Sequence, residues 1–598
     1  MGITEILDGS YAIYGCDTET YNDMGARGLK SIQIVGTGES HYFTAHSYDL
    51  PDDDIRSSIC SDFFGWLEGR FKDSIIAFFN LDFDFSQMLT PMLRSSPWTY
   101  TEAIGRKRQP KGTWSVLETD QKLYKVTIKT TNGVLVTFVD IANFLTATTL
   151  DKACSEWLGE HKLELESKKF AKARPTEIEQ RYAMRDADLT CRLFIKLNEE
   201  GVTEDIDYVT IAGRTLGHFK DFLRHEYSMS FTQWCYGTDD KDYVEEQNLR
   251  NEELLRESNR GGMCMAVHKG YFPRCTHVDK VSMYPAQMVR DRIPYGPILD
   301  NPPDRDYTII HYPSCFLTLK DGKIPYLQWN SNAQCTQYRF INDYKAGEYV
   351  KDAFLDGSHA FWDDEWKIIE ECYDIEEFTD DPKYIEMKPN KALKAYIEML
   401  FKGKATSKGT KRYFYKILMN SLYGKFLSRP DGKRITYVNG YRETIKETDK
   451  KMYYLPLGSW IAMRGRVTLA ECLLSIPADD VLYCDTDSCI FKGDKFPSVS
   501  IGKTLADWSI ENRDFDAWIV GPKTYQELNY GPAQTIPYNP LLTKCAGLNK
   551  VVRDKITFRG LAEGQTYIVQ RALRSKKNLA KSVEEIPYVV KTRAGVLK

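Results

Sequence analysis

Apolar runs that end on acidic or amide residues recur along this chain. Tyr11-Ala12-Ile13-Tyr14-Gly15-Cys16 leads into Asp17-Thr18-Glu19-Thr20, and Ile75-Ile76-Ala77-Phe78-Phe79 leads into Asn80. Short apolar stretches with polar ends predict buried strands that stop at a functional edge. Side chains two apart on a strand share a face, so Asp17 and Glu19 point the same way. Beyond Asn80 a helix begins that carries Asp84. Arg181 to Asp186 is helical in composition, and Tyr182 and Asp186, four residues apart, share a helix face. Later, His277-Val278 runs into Asp279 at a strand end, before a tight turn closed by Pro285. Val481-Leu482-Tyr483-Cys484 and Ser488-Cys489-Ile490 form two strand arms around the acidic tip Asp485-Thr486-Asp487. Residues 434–438 and 441–445, joined by Asn439-Gly440, predict a hairpin, because Asn-Gly suits the type I′ turn.

Between these runs, Lys404, Lys408, Arg412 and Lys416 recur every four residues and are followed by Asn420 and Tyr423. On one helix they form a single drifting stripe. Neighbouring cations repel by roughly a few tenths of a kcal/mol per pair, so a polyanion such as a triphosphate is the natural ligand. Asn420 and Tyr423 then meet the base and sugar. Tyr284, beside the turn after Asp279, is placed to block a ribose 2′-OH and so select deoxynucleotides.

A length of 598 residues divides into several domains, and 42% hydrophobic with 27% charged residues is ordinary for a soluble globular protein. No apolar run approaches the roughly 20 residues that span a bilayer, so no membrane partner is expected. Met1-Gly2-Ile3-Thr4-Glu5-Ile6 has neither the basic head of a signal peptide nor the residue that myristoylation wants at position 6. The 14 cysteines include no C-x-x-C pair and read as reduced thiols, which points to a cytoplasmic protein, in the host cell if the source is viral. A net charge of -4 is unlike a simple nucleic-acid binder, so positive charge has to be segregated. It gathers at Lys402, Lys404, Lys408, Lys411, Arg412 and Lys416, and again at Arg571, Arg574, Lys576, Lys577 and Lys581, while acids collect from Asp363 to Asp381. The 37 Tyr and 28 Phe suit base stacking.

Two sets of carboxylates carry the chemistry. Asp17, Glu19, Asp84 and Asp186, with Asn80 and Tyr182, suit a pair of metals that activate water and stabilise a leaving 3′ oxygen. Thr20 and Phe83 are placed to hold a frayed single strand by hydrogen bonding and stacking. The second set, Asp279, Asp485 and Asp487, converges across about two hundred residues. Taken singly, each motif has a plainer reading. D-x-E is common in structural roles, Tyr182 suits a core, Asp82 or Asp84 suits a helix cap, and D-T-D suits a surface turn.

In order, these blocks resemble the family B DNA polymerases, specifically their protein-primed branch. The resemblance rests on Tyr483-Cys484-Asp485-Thr486-Asp487-Ser488, on Asn420 to Phe426 and on Ser282-Met283-Tyr284-Pro285. Lys523-Thr524-Tyr525, Lys544-Cys545-Ala546-Gly547 and the motifs around Asp17, Asn80 and Tyr182 add to it, and it runs from about residue 11 to about 560.

The resemblance implies a multidomain α+β / α/β chain. An RNase H-like 3′–5′ exonuclease domain over 1–208 is followed by a right-hand polymerase. Palm occupies 209–290 and 455–545, fingers 392–427 and thumb 546–598, with terminal-protein-region insertions at 291–391 and 428–454. The second insertion is the hairpin, which in this family helps to close a ring round template and duplex. The resemblance also implies magnesium, two ions per active site with manganese able to substitute. Asp279 and Asp487 hold the polymerase metals, with Asp485 assisting and Val281 beside them. Val281, Ser282, Met283, Tyr284, Lys404, Arg412, Lys416, Asn420 and Tyr423 take the nucleotide. Thr20, Asn80, Phe83, Gly261, Gly262, Tyr483, Arg466, Lys523, Tyr525 and Lys544 contact DNA. Lys162 serves the exonuclease site, with Lys168 the other choice.

The implied activity is replicative synthesis with proofreading, protein-primed initiation and strand displacement on a linear viral or plasmid genome. The implied partners are template-primer DNA, deoxynucleotides, a terminal protein and a single-stranded DNA-binding protein. The chain departs from the family pattern at Asn259, Ala462 and Phe79. Rival readings are a primer-independent family B polymerase, an inactive nucleic-acid-binding scaffold, and a dedicated nuclease that would leave the 402–426 cations without a purpose.

Overall fold

A computed structural model describes residues 9–23, 26–102, 108–118, 123–145, 148–164, 172–202, 211–327, 351–428, 431–438, 441–448, 453–494, 497–528, 543–545, 566–574, 581–589, 591–592 and 595–596. The first unit is built on β1 (Ala12–Asp23), β2 (Ala26–Gly36), β3 (Ser40–Phe43), β4 (Ser74–Phe78), β5 (Thr99–Tyr100), β6 (Thr113–Glu118), β7 (Leu123–Lys129) and β8 (Leu135–Asp140). They form one sheet in the order β3-β2-β1-β4-β8-β7-β6-β5. The apolar runs lie where the pattern requires, since β1, β4 and β8 pair in parallel at its centre. Helices α1 (Asp52–Glu68), α2 (Leu81–Arg94), α3 (Leu150–Leu158) and α4 (Glu177–Glu199) surround the sheet. A capping box of Thr176 and Glu179 sets the start of α4.

Helices α5 (Ile211–Tyr227), α6 (Phe231–Tyr236) and α7 (Lys241–Leu255) lead to β9 (Cys264–Ala266), β10 (Gly270–Lys280) and the short helix α8 (Met283–Met288). Here the expected turn is corrected. Ser282, at φ 56, makes the reversal, and Pro285 lies inside α8. Proline fits a first helical turn, where its missing N–H has no partner to lose.

Next come β11 (Arg292–Leu299), β12 (Tyr307–His311), β13 (Ser314–Leu319), β14 (Asp352–Asp356), β15 (Phe361–Trp362), α9 (Asp363–Cys372), β16 (Tyr373–Thr379) and β17 (Lys383–Pro389). They make two small sheets, ordered β11-β17-β12-β15 and β14-β13-β16, between β10 and the elements that complete its sheet.

The cationic stripe is a second correction. It does not ride one helix but a helical hairpin, α10 (Ala392–Thr406) and α11 (Gly409–Phe426). Ser407 and Lys408 are extended and Gly409 has φ 55, so the chain reverses between Lys404 and Arg412. The two helices pack closely at Gly403, where a β-carbon would lie 2.6 Å from the Tyr415 ring. The predicted hairpin exists and is longer than its sequence signal, with β18 (Asp431–Val438) paired to β19 (Tyr441–Thr448). Its Asn439-Gly440 turn lies outside the described residues. Thr436 donates to Glu102 (2.7 Å) and Tyr437 to Glu118 (3.0 Å), and the Tyr437 ring is buried against Tyr100 and Trp114, so the hairpin rests on the first sheet.

Helix α12 (Leu455–Leu474) is buried nearly all round, as an apolar helix at the centre of a large core should be. Then follow β20 (Val481–Asp485), β21 (Ser488–Lys492), β22 (Trp508–Gly521), β23 (Thr524–Leu528) and β24 (Thr543–Cys545). With β9 and β10 they complete a seven-stranded sheet, ordered β24-β23-β22-β10-β21-β20-β9. Towards the C-terminus, β25 (Thr566–Arg574) pairs with β26 (Lys581–Val589), and β27 (Lys591–Thr592) with β28 (Gly595–Val596). Arg571, Arg574 and Lys581 of the second basic cluster fall on β25 and β26, and Lys576 and Lys577 lie outside the described residues. Among the described residues, no helix is long and apolar enough to cross a membrane.

Candidate active sites

The first site forms where α4 crosses β1. Gly15 permits the contact, because a β-carbon there would lie 2.1 Å from the Ala187 carbonyl oxygen. Asp186 is thereby brought to Asp17 and Glu19, whose ligand atoms all lie within 4.8 Å of one another. Asp84 arrives from α2, which begins after Asn80 in the left-handed conformation at φ 84. Its buried carboxylate accepts from the Thr18 amide (3.1 Å) and the Thr18 hydroxyl (2.6 Å). Lys162 pairs with Asp186 at 2.5 Å and lies 5.1 Å from the centre of the Tyr182 ring. Of the two lysines open from sequence, Lys162 is at the site, and Lys168 lies outside the described residues. Asn80 is exposed beside this group, and Thr20 and Phe83 are half-buried.

Burial and mutual repulsion raise these acids. Burial and the Asp186 charge lift Asp17 to about 7, and burial and the Asp17 charge lift Glu19 to about 9. Asp84 is raised for the same two reasons. Burial also raises Asp186, against the pull of Lys162. Such a cluster favours a cation, and Asp186 Oδ1 is buried with no hydrogen-bond partner. A donor set made only of carboxylate oxygens fits magnesium or manganese.

The second site is set by strand register. Asp279 lies opposite Ser488 on one side and Ser509 on the other, which places it beside the Asp485-Thr486-Asp487 turn. Asp279 and Asp487 line a cavity of about 520 Å3 together with Lys404, Lys416, Asn420 and Tyr423. Burial and the Asp487 charge lift Asp279 to about 7, and burial and the Asp485 charge raise Asp487. These neighbouring raised acids again suit divalent cations. Asp485 lies close enough for its charge to act on Asp487, but it does not line this cavity and is engaged by Lys523 and by the Thr486 hydroxyl (3.0 Å).

Above the acids, the reversal of the helical hairpin returns Lys404 to Lys416. Lys404 donates to the Ser282 hydroxyl (3.0 Å), and burial with the Lys416 charge lowers its pKa. Arg412 and Lys416 are exposed. Val281, Ser282, Met283 and Tyr284 line the same cavity. The Tyr284 and Tyr423 rings stack with centres 4.0 Å apart. Gly465 leaves room for Tyr284, since a β-carbon there would lie 3.2 Å from its ring.

The remaining expected residues cluster near the turn. Tyr483 is fully buried, accepts from the Lys523 amide (3.0 Å) and packs on Tyr525, with ring centres 4.7 Å apart. Lys544 is exposed on β24, opposite Tyr525. Arg466 is buried and donates to the Gly261 carbonyl (3.0 Å) and to Glu365 (2.8 Å).

Sequence reasoning missed Glu365, Ser509 and Glu511. Glu365 is fully buried and also binds Arg260 (3.1 Å) and Tyr326 (3.0 Å). Ser509 and Glu511 line the cavity from β22. Their spacing of two on a polar-faced strand was the only signal they offered.

Comparison with known proteins bears on the family and the fold. The profile of the family described as DNA polymerase type B, organellar and viral, matches residues 159–459. The chain is 30% identical to the DNA polymerase of Bacillus phage PZA over 317 residues, which are 48% of this chain and 53% of that protein. It is 28% identical to the DNA polymerase of Bacillus phage Nf over 425 residues, 65% of this chain and 68% of that protein. The chain thus spans about half the length of the first of these relatives and about two thirds of the second. The phi29 DNA polymerase, solved with primer-template DNA and incoming nucleotide, superposes with a TM-score of 0.74 at 20% identity, over 97% of this chain and 100% of that one. The mixed α and β multidomain fold is therefore that of the phi29 polymerase.

Proposed function

This chain belongs to the organellar and viral type B DNA polymerases, and from that premise we propose that it is a replicative DNA-directed DNA polymerase with a 3′–5′ proofreading exonuclease. The observation that carries the reading is the cavity in which Asp279 and Asp487 face Lys404 and Lys416. Acids below and cations above suit a metal-bound triphosphate and little else. Arg412 and Lys416, exposed on α11, meet the phosphates as they arrive. The stacked Tyr284 and Tyr423 rings form a wall against the sugar, and a 2′-OH would press on Tyr284.

When bound, paired magnesium ions would activate the attacking oxygen and stabilise the departing one, held by Asp279 and Asp487 at one site and by Asp17, Glu19, Asp84 and Asp186 at the other. The protein's own contribution at the first site is positioning. Thr18 fixes Asp84 by two hydrogen bonds, and Lys162 holds Asp186. Asn80, Phe83 and Thr20 lie where a single strand would enter. Lys523, Tyr525 and Lys544 lie along one side of the turn, where a primer end would rest.

We further propose that synthesis begins on the hydroxyl of a terminal protein, that the domain from residue 291 to 391 grips that protein, and that the β18–β19 hairpin separates strands ahead of the site. The docking of Tyr437 on the first unit supports the last point, because a hairpin fixed at that end bridges two parts of the molecule. Extension of a short primer on a circular single-stranded template tests synthesis and displacement together. Magnesium-dependent products longer than the circle are expected, and absence of any extension would overturn the reading. Incubation with terminal protein and one labelled deoxynucleotide tests initiation, with label expected on the protein and not on free template.

A further inference from the structure

A second cavity, of about 720 Å3, lies between α8, α12 and the segment 498–508. It adjoins the synthetic cavity, and Lys280 lines both. Lys280 follows Asp279 on β10, and its Nζ lies 5.2 Å from the centre of the Trp508 ring, which also lines this cavity.

The charges lining the cavity are unbalanced. Lys280 is half-buried and Arg290 exposed at the rim, and among the described residues neither has a carboxylate within 4.0 Å. Arg290 binds only the neutral Gln287 carbonyl, at 2.8 Å. Of the two acids of the lining, Asp291 pairs with Lys394 (3.0 Å), and Glu471 contacts Arg464 (3.8 Å) while its charge also reaches Lys280 and Arg290. A half-buried cation with no direct ion pair, as Lys280 is, gains from a bound anion. A further polar atom is also unused. Thr468 is 8% exposed, lines the cavity, and its Oγ1 is buried with no hydrogen-bond partner.

The rest of the lining is mixed, with Trp460, Trp508, Val289 and Val499 supplying an apolar part and Arg292, Gln287, Ser498 and Ser500 a polar one. Cations, polar groups and apolar side chains lining one cavity of this size match a small organic molecule with an anionic group. Inorganic phosphate would use the cations and leave the apolar wall empty. From this geometry we propose that the cavity is a binding site for an organic phosphate of nucleotide size, held by Arg290 and Lys280 through its phosphate and by Thr468 through a hydrogen bond.

The test uses the full chain carrying Lys416→Ala, which weakens nucleotide binding at the synthetic cavity, in buffer with EDTA. Adenosine 5′-monophosphate is the probe, followed by titration calorimetry. One saturable site is expected. Adding Arg290→Ala should weaken it tenfold or more. Thr468→Val, nearly the same in shape and safe for folding, should weaken it severalfold. Adenosine and inorganic phosphate should each bind less tightly than the probe. Failure to saturate, or affinity unchanged by both Arg290→Ala and Thr468→Val, would overturn the proposal. Inorganic phosphate binding as tightly as the probe would reject the organic class. None of these outcomes depends on whether the chain synthesises DNA.

Discussion

Gly262 approaches Thr486 so closely that a β-carbon on the glycine would lie 2.5 Å from the threonine hydroxyl oxygen. The segment leading into the seven-stranded sheet is therefore packed directly on the turn that carries Asp485 and Asp487. The Thr486 amide donates to the Met263 carbonyl (2.7 Å) in the same contact. Gly262→Ala should push the turn out of place and lower the synthetic rate tenfold or more, about 1.4 kcal/mol in the transition state, with degradation unaffected. Thr486 has φ 57, which glycine adopts freely, so Gly262→Ala with Thr486→Gly should recover much of the loss. Single-turnover extension rates for the three variants test this, and a double variant no better than Gly262→Ala would contradict it.

Glu365 compensates two buried guanidiniums, those of Arg260 and Arg466. Burial alone would raise its pKa, but the two arginines hold it below the usual carboxylate range. Glu365→Gln keeps the shape and removes the charge that both guanidiniums face. A loss of about 3–5 kcal/mol is expected, read as a lower urea midpoint for the unit containing α9. Because Arg466 also holds Gly261, the loss of synthesis should exceed the loss of degradation.

His311 bridges Asp380 (2.7 Å) and Asp363 (3.4 Å). Burial pulls its pKa down, but hydrogen bonds to Asp363 and Asp380 prevail and lift it to about 9. A raised histidine contributes stability that is complete below its unfolded value of about 6.5 and is lost as pH rises through the folded one. The unfolding temperature should fall between pH 6.5 and 9.5 in the wild type and less steeply in His311→Gln. Equal slopes would show that the pairing does not contribute.

Metal loading at the first site should displace protons. With Asp17 near 7 and Glu19 near 9, the metal-free cluster is partly protonated at pH 7.5. Oxygen ligands bind magnesium as carboxylates, so binding releases those protons. Titration heats should vary with the ionisation enthalpy of the buffer, and Glu19→Gln should shrink that variation. Heats independent of the buffer would contradict the assignment.

Much of this was legible in the sequence where chemistry is local. Asp17 and Glu19 alternate on one strand, Tyr182 and Asp186 share one helical face, and the hairpin around residues 439–440 carried its own turn signal. What failed was arrangement across distance. The four-residue spacing from Lys404 to Lys416 suggested one helix, but Ser407, Lys408 and Gly409 reverse the chain, and it is this reversal that returns Lys404 to Lys416. Glu511 entered the cavity only through the register of β22 against β10, and Glu365 through an inserted domain, neither of which a local pattern encodes. Asp485 belonged to the right motif, and only the structure shows it engaged by Lys523.

The central claim is that two separate carboxylate sites perform opposite reactions. It is tested most directly by measuring synthesis and 3′–5′ degradation on the same primer-template for Asp487→Ala and Asp84→Ala. Asp487→Ala should lower synthesis by about a thousandfold or more, roughly 4 kcal/mol, and leave degradation within about twofold of wild type. Asp84→Ala should do the reverse. If either variant retained the reaction assigned to its site, or both variants lost both reactions while remaining folded, the account would be wrong.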